Sequence, residues 1–151
     1  MARRHCGVAA LTAAMLAAPL VAAAPDPIAS RIDTYRELGA SFKAVNDGLR
    51  TDEVQPVLLA QAARHMRTVA QAQYGLFPAG SGPAPGRKTK AKAEIWRQPA
   101  RFKAAQDAFA AAAAGFQQAV GSGNAETMRG AARKLGETCK GCHDSFRTRT
   151  D

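Results

Sequence analysis

Aromatic residues are scarce in this chain. One Trp, two Tyr and six Phe make up 6% of its 151 residues, although 46% of the sequence is apolar. Much of the remainder is alanine, which favours helix strongly and fills little volume. Closely approaching helices are expected, or a core filled by something other than side chains. Alternating apolar and polar residues are absent throughout, which argues against strands. After residue 25 no run is apolar enough to span a bilayer, so the mature chain is expected to be soluble, without stable membrane insertion. Cysteine is rare too: three residues, of which Cys6 falls in the N-terminal segment considered next. In an oxidising compartment the two that remain would by default form a structural disulfide. Negative charge is also short, with 12 carboxylates against 21 cations.

The N-terminus reads as an export signal. Arg3 and Arg4 form a basic start, Val8 to Leu20 an apolar run, and Val21-Ala22-Ala23 a small-residue cleavage site. The signal is placed at 1–23 and a single mature domain at 24–151, a size that supports one modest core. Without Arg3 and Arg4 the balance is 19 cations to 12 carboxylates. Arg87, Lys88, Lys90 and Lys92 crowd one segment, which reads either as a solvated loop or as a patch that steers an acidic partner. Export and the lack of any binding motif argue against nucleic acid.

Four helices follow from the periodicity. The first spans about Pro27 to Leu49, with Asp26 as cap and Ile28, Ile32, Tyr35, Leu38, Phe42, Val45 and Leu49 on one face. A second runs from about Asp52 to Tyr74, capped by Thr51 or Asp52, with Val57, Leu58, Met66 and Val69 inward. A long connection from Gly75 to Gln98 comes next, in which Glu94-Ile95-Trp96 should fold back onto the helices. The third helix begins at Pro99 and carries Phe102, Phe109, Phe116 and Val120. The fourth is capped by Asn124, carries Met128, Ala131 and Leu135, and continues to about Arg147. An all-α antiparallel four-helix bundle is the architecture these elements favour.

The chemistry lies in Cys139-Lys140-Gly141-Cys142-His143. Thiols three residues apart on a helix are badly placed for a disulfide with each other. Followed at once by histidine, they match the attachment motif for haem c: two thioether bonds to one porphyrin, with the imidazole of His143 as iron ligand. A thioredoxin-like pair would need a preceding strand, and a zinc site would need two more ligands. His65, the other mature histidine, lies between Arg64 and Arg67 and reads as a surface residue.

These features together resemble the cytochrome c-prime family, including its cytochrome c-556 branch. The resemblance rests on Arg31-x-x-x-Tyr35-x-x-Leu38-Gly39 with Phe42, on Gly80-Ser81-Gly82-Pro83, Glu94-Ile95-Trp96 and Phe102-Lys103, and on the run from Cys139 to Arg147. It implies a periplasmic bacterial bundle with one covalent haem, acting in electron transfer, in binding small gases such as nitric oxide, or in both, and not as an enzyme. It implies that Tyr35 faces the distal side of the haem. A methionine there marks six-coordinate low-spin carriers of the c-556 type; a bulky non-ligand marks five-coordinate, high-spin iron. Tyr35 favours the second, with the low-spin carrier as the alternative, and as a plain core aromatic it would favour neither. The resemblance further implies that Arg31 pairs with a haem propionate and that Arg147 lies near the imidazole, although either can be a solvated charge. Redox proteins, acidic ones among them, are the implied partners, and a homodimer through the first two helices is the implied assembly.

Overall fold

The computed structural model describes residues 25–51 and 55–149. The expected signal segment and Asp52, one of the two proposed caps of the second helix, lie outside the described residues. Five helices follow in order: α1 Pro27–Arg50, α2 Pro56–Ala72, the short α3 Glu94–Arg97, α4 Pro99–Gly121 and α5 Ala125–Phe146. A turn of 3₁₀ helix, Gln73–Gly75, extends α2. The four long helices form the expected bundle. Among the described residues, its only extended pairing is the single bridge between Ala91 and Arg147.

Local chemistry sets most of the helix ends. Asp26 Oδ1 accepts from the Ile28 amide at 3.0 Å, and Pro27 occupies the first turn, where no amide donor is missed. Asn124 Oδ1 accepts from the Thr127 amide at 2.9 Å and starts α5. For α2 the start is not at Thr51 or Asp52 but at Pro56, with Gln55 before it and no side-chain cap. Proline fixes φ for a helix beginning and cannot donate from within one, so the helix starts there.

Neighbours in the bundle run antiparallel. Helix α1 packs on α2, α2 on α4, α4 on α5, and α5 returns to α1 along the least closely packed of the four seams. One end of the bundle thus gathers the start of α1, the end of α2, the start of α4 and the end of α5. The opposite end is joined where Arg129 Nε donates to the Leu49 carbonyl at 2.9 Å.

Two apolar clusters divide the interior. The larger fills the body with Val45, Met66, Phe116, Met128 and Leu135 among its members. The smaller, Ile95, Phe102 and Phe146, closes the other end, with Phe77, Trp96 and Cys142 packed against it. Ile95 anchors the long connection as expected, and Trp96 Nε1 donates to the Pro78 carbonyl at 3.2 Å. On α2 the expected inner face is partly wrong. Met66 and Val69 are buried, but Val57 is 68% and Leu58 56% exposed, and Leu59 points inward instead. On α1, Ile32 is 38% exposed while Arg31 is buried. The three-residue apolar run Val57-Leu58-Leu59 leaves the phase of α2 open until its neighbours choose.

Candidate functional site: the thiol and histidine end of the bundle

Cys139 and Cys142 lie one turn apart on α5, both half-buried and both free thiols. They reach into different clusters, Cys139 into the body and Cys142 into the aromatic end. Burial is the main reason their pKa values rise; for Cys142, aided by Cys139, the value is pushed up to about 11. A low-pKa redox pair would need the opposite shift. Here both remain neutral thiols at ordinary pH.

Across the loose α1–α5 seam stands Tyr35. Burial lifts its phenol pKa well above the ordinary value, and the nearby thiol groups of Cys142 and Cys139 push it further the same way, against Arg31. Tyr35 and Cys139 pack against the same apolar cluster. Tyr35 opens a run of rings: its centroid is 6.1 Å from that of Phe77, Phe77 meets Phe102 edge-on at 4.7 Å, and Phe102 meets Phe146 edge-on at 5.1 Å. Gly136, one turn before the cysteines, lets α5 approach α1: a Cβ there would come within 3.2 Å of Phe42 Cζ.

His143 is the next residue on α5 and stands exposed at its surface. Partial burial, then the positive charge of Arg147, lowers its pKa, with Asp144 opposing. The imidazole is therefore biased to the neutral form that ligates metal. Arg147 closes the helix, its amide donating to the His143 carbonyl at 3.0 Å. Arg147 and His143 are thus electrostatic neighbours, as their one-turn spacing suggests.

Arg31 does more than its sequence position indicated. It is 4% exposed and clasps the long connection: Nη1 donates to the Leu76 carbonyl at 3.2 Å and to Ser81 Oγ at 3.1 Å, and Nη2 to the Ser81 carbonyl at 3.1 Å and to Thr89 Oγ1 at 3.0 Å. Its guanidinium carbon lies 4.7 Å from the Phe77 ring centre. Four of its five N–H groups are thus committed to protein. The roles of Phe77 and of Ser81, which is 1% exposed, were missed in the sequence. The only signal was their place in a long connection beside a glycine-rich turn.

His65 departs from expectation. It is half-buried on α2, and its Nε2 atom is buried without a hydrogen-bond partner, so it is not a plain surface residue. It lies on α2, away from the α1–α5 seam. Among the described residues no group of three or more His, Cys, Asp or Glu could hold a metal ion.

Two thiols one turn apart, an imidazole biased to neutrality, apolar rings and a loose helix seam make a donor set that fits a covalently bound porphyrin. The family is decided by sequence. A sequence model of the family described as Cytochrome C' matches residues 26–147. The chain belongs to the cytochrome c' family. A cytochrome c' of Rhodospirillum rubrum is 33% identical over 143 residues, 93% of this chain and 95% of that one. The solved cytochrome c' of Rubrivivax gelatinosus covers 82% of this chain and 95% of its own, at 28% identity and a TM-score of 0.74. A nitric oxide complex of a cytochrome c prime variant from Alcaligenes xylosoxidans shares the fold, with a TM-score of 0.75 at 21% identity over 83% of this chain and 95% of that one. Cytochrome c' proteins are haem c proteins, and no helix among the described residues is long and apolar enough to cross a membrane.

Proposed function

We propose that the chain is an exported, periplasmic monohaem cytochrome that transfers single electrons and binds small gases at a five-coordinate, high-spin iron, and is not an enzyme. The observation that carries this is the half-buried pair Cys139 and Cys142 one turn apart on α5, with Tyr35 packed against the same apolar cluster as Cys139. The two cysteines would hold one haem by thioether bonds, and His143 would ligate its iron. Bound there, the haem supplies a ferric–ferrous couple and an iron site for a diatomic gas. Tyr35 then acts as a wall. Its burial, the largest influence on the phenol, keeps the proton on the oxygen, and a neutral phenol is a poor ligand. Met66 and Met128 lie deep in the larger cluster, 0% and 1% exposed. Arg147 holds positive charge beside His143 and so disfavours imidazolium. Arg31 has one N–H group to spare for a propionate, its other four serving the connection.

The gas-binding reading is supported by the nitric oxide complex of the Alcaligenes relative, which shares this fold. A homodimer through α1 and α2 is supported by Ile32, Val57 and Leu58, large apolar side chains exposed on those two helices. Intact-mass analysis and absorption spectroscopy of secreted protein test the reading together. A mass above that of the chain, with a broad ferrous Soret band that sharpens under carbon monoxide, is expected. Sharp low-spin bands indifferent to the gas would instead mean that a sixth protein ligand is bound.

A further inference from the structure

Nine of the 19 Lys and Arg residues in the described part fall in two segments, 76–101 and 137–149, which contain three carboxylates. The fold brings these segments together. The Thr148 amide donates to the Lys90 carbonyl at 2.8 Å, and the Lys92 amide to the Phe146 carbonyl at 2.9 Å. Lys92 Nζ reaches the Asp144 carbonyl at 3.0 Å, and Arg101 Nη2 reaches Ser145 Oγ at 3.4 Å. The loop cations Arg87, Lys88, Lys90 and Lys92 are thereby set beside Lys140, Arg147 and Arg149 of the C-terminal segment. Nearby, one carboxylate is shared. Asp144 pairs with Lys140 at 2.5 Å and with Arg149 at 3.5 Å, and all three are well exposed. Pairs of this kind are weak and leave the local excess in place. The end of α5 adds its own negative pole, which offsets part of the cost of gathering cations there.

We infer that this cationic rim, around the exposed His143 end of α5, is the docking surface for an acidic protein partner. The inference rests on the haem reading only in placing that partner beside the redox centre; the charge pattern stands by itself. A concentrated field of one sign attracts a complementary face over about 10 Å at 0.1 M salt, and raises association rates rather than adding a large contact energy. An anionic membrane fits less well. Among the described residues, the exposed large apolar side chains are Ile32, Val57, Leu58 and Tyr74; Val57 and Leu58 begin α2 at the opposite end of the bundle, and none of the four lies on the two cationic segments. Single-stranded nucleic acid fits less well too, because Phe77, Phe102 and Phe146 pack on one another instead of forming a stacking platform.

The test uses the secreted holoprotein and a fluorescently labelled polyglutamate peptide, followed by anisotropy as sodium chloride is raised. Binding should weaken steeply with salt and protect backbone amides in 87–92 and 145–149 from hydrogen exchange. The double variant Lys88→Glu, Lys90→Glu should weaken binding by about tenfold or more, whereas Arg64→Glu, Arg133→Glu, with the same change in net charge, should weaken it by about twofold at most. Equal losses in the two variants would mean that net charge alone acts, and would overturn the assignment. So would phosphatidylglycerol vesicles bound as tightly as the peptide with the same variant dependence. Haem content is read by mass on the same samples. Protein without haem that still binds the peptide at the rim would sink the haem reading and leave the rim intact.

Discussion

The two ends of the bundle are built on different physics. At the far end, where α1 and α2 meet and α4 turns into α5, helices close on Val45, Ala63, Met66, Ala113 and Phe116, all 0% exposed. Short connections suffice there, and packing density does the rest. At the motif end a long connection is tied over the helix ends by Arg31, by Trp96 and by the bridge to Arg147. Two half-buried thiols lie on α5 at this end. One end is finished by apolar side chains; the other by a small aromatic cluster and polar ties from the connection. Alanine-rich helices allow both, because small side chains let helices approach at one end without supplying bulk at the other.

Removing the thiols should separate the ends most sharply. The double variant Cys139→Ala, Cys142→Ala is expected to abolish covalent haem entirely, leaving the secreted protein at the mass of the bare chain. The far-end packing should persist, because these side chains contribute only partly buried contacts to the clusters. Helical content retained in far-UV circular dichroism would confirm that the ends are separable; a collapse of the whole bundle would show that they are not.

Next in size is the far end itself. Phe116→Ala empties the centre of the larger cluster and should destabilise the protein by about 3–5 kcal/mol, a large share of the ordinary margin. Urea unfolding measures it. The absorption spectrum should change little, since Cys142, Phe102 and Phe146 belong to the other cluster and only Cys139 and Tyr35 of the site touch the body.

Replacing Arg31 with Ala should have the reverse profile. Four acceptors on the connection lose their donor, for a loss of roughly 3 kcal/mol or somewhat less if water enters to replace it. The larger consequence is local: hydrogen-exchange protection near 76–92 should fall while that of the far end persists. Arg31→Lys should rescue little, because one ammonium cannot span acceptors arranged for a planar fork.

Legibility followed the same divide. Helix periodicity, the caps at Asp26 and Asn124 and the Cys-x-x-Cys-His run were readable because each is a local signal spanning a few residues. The inner face of α2 was misread because Val57 and Leu58 precede Leu59, and all three suit a helix interior equally; tertiary contact selects the last. The burial of Arg31 was invisible for a different reason. Its acceptors lie 45 to 58 residues away, in a segment whose composition announces only a loop. Phe77 was overlooked on the same account, although it joins Tyr35 to the aromatic end. His65 looked exposed between two arginines, yet its ring turns inward and buries Nε2.

The smallest predicted effect offers the cleanest comparison, because the two side-chain caps sit at opposite ends. Asn124 starts α5 at the far end through one bond to the Thr127 amide, so Asn124→Ala should cost about 1 kcal/mol in urea unfolding and leave exchange in the connection untouched. Asp26 caps α1 at the motif end with the same chemistry, but its carboxylate also lies close enough to favour the charged form of Arg31. Asp26→Ala should therefore match the other cap in global stability, at about 1 kcal/mol, and in addition loosen exchange near 76–92. If both variants leave the connection equally protected, Arg31 holds it without help from Asp26, and the motif end is stiffer than its polar struts suggest.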